Sequence, residues 1–452
     1  VYFGRHEDGV LQSEFSGNLV EVCPTGVFTD KPFLKHYSRK WDLQSAPSIC
    51  SGCAVGCNIA PGERYGKLKR VHNRYNHEVN GYFLCDRGRF GSGYINSDAR
   101  LDYAGIKKPD GSFMAVHQQQ AIDTAASWIK HKKVAGIGSP RASLEANYLL
   151  RELVGAANFV AGFSDREAEI MGTIVHSLKH TRASNPSIKQ MEAADAILIL
   201  GEDVTNTAPR VALGLRQSVR NKAFELAEQM GLPPWQDAAI RNLAQDQRSP
   251  MIIVSAMDTR LDDVASRCVS LAADDIAVFG YAVAEVLAGG KSEDVAVNEA
   301  AEILLRAKHP LILSGSSMSH TGIVNGAVAV AEALEAQNKS AMLSLCVAES
   351  NSLGLALLVD SGLKTKPLSI SKLAKKSSKL DALIILENDL DRRSNKADID
   401  LLVTGGAKIV SMDILENSTL NNSDLVLPAA SYAESQGTLV SSEGRAQRYF
   451  PV

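Results

Sequence analysis

Asp195-Ala-Ile-Leu-Ile-Leu-Gly-Glu-Asp203 sets an unbroken aliphatic run between acidic residues. The run is too short for a stable helix and suits the middle of a strand covered on both faces, with Gly201 marking the turn out of it. Such strands belong to parallel sheets flanked by helices. The unit recurs as Asp381-Ala-Leu-Ile-Ile-Leu-Glu-Asn-Asp389, which implies two equivalent strand-to-loop units, although any two such units share this texture. Ligands of open parallel sheets lie beyond the carboxyl ends of strands at a switch point, so loops 201–209 and 387–394 are where a cofactor is expected.

Working outward, Val134-Ala-Gly-Ile-Gly138, Met251-Ile-Ile-Val254, Leu311-Ile-Leu313, Lys408-Ile-Val410 and Leu425-Val-Leu427 read as further buried strands. Helical spacing fits 121–132, 144–155, 211–230, 277–288 and 321–336, with Ser143 expected to cap the second at Ala146. The expected fold class is α/β. Residues 1–46 read as a remnant of a preceding module and 47–103 as a small β-rich lobe. Residues 104–215 read as the first part of an α/β domain, 216–308 as a further α/β domain or insertion, and 309–452 as its last part.

The β-rich lobe carries Cys50-x2-Cys53-x3-Cys57 and, farther on, Cys85. Three ligands in a tight loop and a fourth from a distance suit a cubane, in which each of four irons needs one thiolate. Structural zinc more often takes two C-x-x-C knuckles, yet a four-thiolate zinc site fits too, and paired disulfides are the plainest rival. Gly52 and Gly56 would let the loop bend and bring N–H groups toward sulfur. Cys268 and Cys346 lie in apolar, strand-like runs and are expected to be small buried hydrophobes.

The 452 residues carry a net charge of -3, with 45% hydrophobic and 22% charged residues. That composition excludes disorder and offers no basic field for nucleic acid. No apolar run reaches the length of a bilayer span. The beginning, Val1-Tyr-Phe-Gly-Arg-His6, lacks an initiator Met and a signal-peptide pattern, so the chain is expected to start inside a longer protein. Ser139, Ser314 and Ser441 have no accompanying His and Asp signature, and Gly136-Ile-Gly138 and Gly201 do not make a nicotinamide fingerprint. His176 and His180, without a Glu placed as in H-E-x-x-H, read as a polar helix face.

Several stretches together resemble one family. Gly17-Asn-Leu-Val-Glu-Val-Cys-Pro-Thr-Gly26, the cysteine motif with Cys85-Asp-Arg-Gly-Arg-Phe90, residues 194–203, and Asp424-Leu-Val-Leu-Pro-Ala-Ala430 resemble the large iron–sulfur subunit of bacterial respiratory complex I, the NADH-quinone oxidoreductase. That family is similar in its later part to molybdopterin-dependent oxidoreductases, and the stretch Gly437-Thr-Leu-Val-Ser-Ser-Glu-Gly-Arg-Ala-Gln447 resembles their tail segment. The resemblance runs nearly end to end. It implies a [4Fe-4S] lobe ahead of parallel-sheet domains of the formate dehydrogenase type, with Cys50, Cys53, Cys57 and Cys85 as ligands of one [4Fe-4S] cluster.

It further implies that Cys23 is the fourth ligand of a second [4Fe-4S] cluster whose other cysteines precede this sequence, leaving Cys23 a free, at least partly exposed thiol. Molybdopterin enzymes place a Lys where Arg87 stands; Arg87 keeps the charge and is expected near the cluster, where Arg89 would also offset charge. No metal-ligating Cys or Ser motif follows the cluster lobe, so neither molybdenum nor bound pterin is expected. The implied role is electron transfer and scaffolding, with no catalytic residue in this chain alone. The implied partners are other peripheral-arm subunits, on the cytoplasmic side of the bacterial inner membrane, and the parent subunit would continue past Val452. A catalytic fragment of a molybdopterin-dependent oxidoreductase and a zinc-stabilised docking scaffold are the alternatives.

Overall fold

The computed structural model describes residues 11–35, 37–361 and 368–452. β1 (Gln44–Ser45), β2 (Ser48–Ile49), β3 (Asn58–Arg64) and β4 (Lys67–Asn73) form an antiparallel four-stranded sheet, the β-rich lobe. The chain continues through β5 (Ala104–Lys107), β6 (Phe113–Val116), β7 (Val134–Ile137) and β8 (Phe159–Val160). Next come β9 (Ala196–Leu200), β10 (Met251–Ser255), β11 (Arg267–Ser270), β12 (Pro310–Gly315) and β13 (Met342–Cys346). These five make a wholly parallel sheet in the order β11-β10-β9-β12-β13. The chain then returns with β14 (Ala382–Leu386), β15 (Lys408–Asp413) and β16 (Leu425–Pro428) to complete a seven-stranded sheet, β6-β5-β16-β15-β14-β7-β8. A hairpin of β17 (Gly437–Val440) and β18 (Ala446–Tyr449) follows.

All the strands expected from the sequence are present, and the reason is burial. The five residues of β9 are each no more than 1% exposed, and full burial of such a side chain contributes about 1.5–3 kcal/mol. The two echoing units also start alike. The Asp195 carboxylate accepts from the backbone N–H of Lys308 (2.8 Å) and His309 (2.7 Å), pinning the start of β12. Asp381 accepts from Lys133 N–H (2.8 Å), pinning the start of β7. Each acid therefore fixes the neighbouring strand's register as well as its own strand's beginning.

Helices cover both sheets. Ser143 caps Leu144–Val154 through Ala146 N–H at 3.1 Å, as expected, and Ser164 and Glu167 form a reciprocal box at the start of Asp165–His180. Ala273–Leu287 crosses Thr321–Ala336 at Gly280 and Gly326, where a Cβ on Gly280 would lie 3.0 Å from the Gly326 Cα. The two backbones touch only because neither position has a side chain.

Three expectations need correction or refinement. Residues 211–230 form two helices, Pro209–Ser218 and Asn221–Gln229. The break is tertiary: Ser249 N–H donates to Val219 O (2.8 Å) and the Asn221 amide donates to Glu192 O and Ala194 O (both 2.9 Å). Cys268 is exposed, because β11 is an edge strand whose residues alternate outward, whereas Cys346 is buried as expected. The divisions expected at 215/216 and 308/309 fall within the run of strands, 196 to 346, that builds the five-stranded sheet. Among the described residues no helix is long and apolar enough to cross a membrane.

Candidate metal centre

The turn between β2 and β3 carries Cys50, Cys53 and Cys57, and is closed by Cys50 N–H donating to Cys57 O at 2.9 Å. Gly56 sits in the left-handed region at φ +72, with no room for a side chain, since a Cβ there would lie 2.8 Å from the Gln447 amide nitrogen. Cys85 arrives from across the lobe as the residue capping Asp86–Phe90. All four thiols are buried and mutually close, as their electrostatic influence on one another requires.

Backbone N–H groups turn toward sulfur at three of the four: Gly52 to Cys50 (3.4 Å), Val55 to Cys53, and Gly88 and Arg87 to Cys85. Burial nevertheless pushes every one of these thiols up, Cys53 to about 11, and the neighbouring thiolates push Cys50 and Cys57 further. Thiols raised in this way would ionise only with positive charge close by.

Two guanidinium groups oppose that build-up. Arg87 is exposed, favours the charged form of Cys50, Cys53 and Cys85, and donates to Gly52 O (3.4 Å) and to Asn206 O. It therefore joins the cysteine loop to the loop after β9. Arg210, which sequence reasoning missed, is 5% exposed and acts on Cys57. Its other nitrogens bond Glu192 (2.6 Å) and Asn80 O (3.2 Å), but Nη1 is buried without a protein partner. Only its place beside a helix-starting proline was visible in the sequence. Arg89 is buried as well, yet it pairs with Glu21 and Asn18.

The lobe is anchored from both ends of the chain. Gly17 N–H donates to Asp86 (2.7 Å), and the Asn18 side chain donates to Leu84 O (2.8 Å) and accepts from Leu84 N–H (3.2 Å). Glu21 accepts from Asn73 N–H at 3.0 Å; burial works to raise it, but the His72 hydrogen bond and the charge of Arg89 hold it down at about 2. From the other end the Gln447 amide donates to Gly56 O (2.7 Å) and accepts from Asn58 (2.6 Å), and Ser442 N–H donates to Ala54 O (2.8 Å).

Cys23 does not join this group. It follows the short helix Asn18–Val22, is partly exposed, and lines a separate cavity with Phe28, Tyr37 and Trp41. Backbone N–H groups, that of Phe28 foremost, with the Thr25 hydroxyl, hold its thiol down at about 7. His176 and His180 stack at 4.2 Å on an exposed helix face and gather no acidic partner among the described residues.

Residues 100–452 match the model of the molybdopterin oxidoreductase family. The chain belongs to that family. Residues 43–97 match the molybdopterin oxidoreductase Fe4S4 domain and residues 1–29 the ferredoxin-like domain of NADH-quinone oxidoreductase subunit 3, so an iron–sulfur cluster is a cofactor of this chain. The whole chain is 47% identical to the G subunit of the NADH-quinone oxidoreductase of Pseudomonas fluorescens and 42% identical to that of Escherichia coli strain K12. It spans 50% of the length of each. Among solved structures, acetylene hydratase from Pelobacter acetylenicus superposes with a TM-score of 0.55 at 11% identity, over 89% of this chain and 66% of that one. The formyltransferase/hydrolase complex of Methylorubrum extorquens gives 0.53 at 12%, over 77% and 93%. These two share the fold alone.

Proposed function

We propose that this chain is an electron-carrying and structural iron–sulfur part of a proton-translocating NADH-quinone oxidoreductase, and that Cys50, Cys53, Cys57 and Cys85 hold one [4Fe-4S] cluster. The observation that carries this reading is the four-thiol pocket itself: buried, supplied with N–H donors, and flanked by Arg87 and Arg210. A bound cluster supplies one-electron storage. These residues would enclose it, donate hydrogen bonds to its sulfurs and offset its negative charge. Cys23 fits the last ligand of a second [4Fe-4S] cluster, because its thiol is already disposed toward thiolate. Other peripheral-arm subunits are the proposed partners, at the cytoplasmic face of the inner membrane. The exposed pair Tyr75 and Tyr82, with ring centroids 4.7 Å apart, is the kind of surface a partner covers.

A zinc-stabilised scaffold is the alternative for the same four thiols, and metal analysis returning zinc and no iron would favour it. The residues do not fit a phosphate-bearing pterin. The loops after β7, β14 and β15 present Glu387, Asp389, Asp413 and Glu416 against Arg141 and Arg392, and Arg87 is engaged with backbone carbonyls. Iron and labile sulfide analysis, with low-temperature electron paramagnetic resonance of the reduced protein, tests the cluster. Cys85→Ala should abolish a cubane signal, and persistence of that signal removes Cys85 from the ligand set.

A further inference from the structure

The two echoing units end differently. Beyond β9 the chain fills its own crevice: Glu202 accepts from the Thr207 hydroxyl (2.6 Å), the Ser317 hydroxyl (2.7 Å) and Ser317 N–H (3.2 Å). Beyond β14 a cavity of about 640 Å³ stays open. It lies where the strand order of the seven-stranded sheet reverses, between β7, which leads to β8 on one side, and β14, which leads to β15 on the other. That is where parallel sheets bind ligands, and the volume suits a small molecule.

Glu387 and Asp413 both line it, near enough for the charge of Asp413 to act on Glu387. Asp413 accepts from Ile414 N–H and the Asn417 amide (both 2.7 Å), while among the described residues no donor reaches the Glu387 carboxylate. Burial first, then Asp413, pushes Glu387 up to about 7, against the pull of Arg141. Arg141 directs one nitrogen to the Glu387 carbonyl (3.3 Å) and another toward Glu349 (3.9 Å), and Arg392 leans on Asp389 (3.5 Å). Neither guanidinium bonds the carboxylates of that pair. Glu387 also holds φ +41, a backbone state that a side chain adopts at a cost, and such outliers gather at ligand sites. Tyr94, Tyr432 and Tyr449 supply flat walls. A metal ion is the wrong occupant, since no three ligating side chains converge among the described residues.

We propose that this cavity binds a small planar organic cation of the amidinium or guanidinium type, whose N–H groups bridge Glu387 and Asp413 while its body lies against the tyrosines. The proposal does not rest on the cluster.

Calorimetric titration of the cluster-containing chain with benzamidinium chloride, with benzamide, and with ADP tests it. Benzamidinium should bind, and benzamide, of the same shape but uncharged, should bind about tenfold or more weakly. Glu387→Gln combined with Asp413→Asn, its fold checked by circular dichroism, should lower benzamidinium affinity to the benzamide level. Benzamide or ADP binding as tightly as benzamidinium, no benzamidinium binding, or unchanged affinity in the folded variant overturns the proposal. If that variant does not fold, the amidinium-to-amide ratio on the unaltered chain decides it.

Discussion

Gly201 and Glu387 occupy the same place in two similar strand-to-loop units, and both are left-handed, at φ +66 and +41. At 201 the sequence meets that geometry with the residue that tolerates it. At 387 a glutamate is forced into it. Glu387→Gly should therefore raise stability by about 1 kcal/mol, read as a higher denaturant midpoint at unchanged slope. A lower midpoint would show that the side chain contributes more than the strain removes.

The same glutamate sets a pH dependence. Its folded-state value of about 7 lies above the ordinary 4.5, so the folded protein binds this proton more tightly than the unfolded one. The stability it contributes is complete below pH 4.5 and disappears as pH rises through 7. Glu387→Gln, which cannot ionise, should gain stability over the parent at pH 8 relative to pH 5 by up to about 3 kcal/mol. Urea titrations of both proteins at the two pH values measure the difference, and parallel curves would contradict the buried-acid account.

Arg87 should tune the cluster electrostatically. Its charge favours the more negative, reduced state, so Arg87→Gln should lower the reduction potential by on the order of 50 mV while Arg87→Lys largely preserves it. Potentiometric titration monitored by electron paramagnetic resonance separates these variants. An equal shift in both would point to lost hydrogen bonds to Gly52 and Asn206 instead of lost charge.

Thiol chemistry should divide the seven cysteines. In the folded, cluster-containing protein iodoacetamide should modify Cys23 and Cys268, with Cys23 faster because its thiol is held at about 7 while Cys268 is raised by burial and by Asp262. Cys50, Cys53, Cys57, Cys85 and Cys346 should react only after unfolding or chelation. Peptide mass spectrometry over a time course gives the order.

The strands were legible because a strand buried on both faces can hardly be written other than as an aliphatic run, as in β9 and β14. The cysteine spacing was legible for a different reason, since a metal motif is local in sequence. What could not be read were effects supplied from elsewhere. The kink after Ser218 depends on Ser249 and Glu192, and helical spacing runs straight through it. Cys268 sits between Arg267 and Ser270 in a strand less apolar than β9 or β14, and its exposure follows from the strand's place at the sheet's edge. Arg210 reaches Cys57 from a different domain layer, and Glu387 looks like an ordinary turn acid until Asp413 is placed near it.

The hydrogen bond from Gln447 to Gly56 joins residues 391 positions apart. On the ribosome, at about 5–20 residues per second, the cysteine loop therefore waits on the order of 20–80 s before its clasp exists. During that interval the β2–β3 turn lacks the contact that Gln447 makes with Gly56, so the final packing of the cysteine loop is a late event of synthesis.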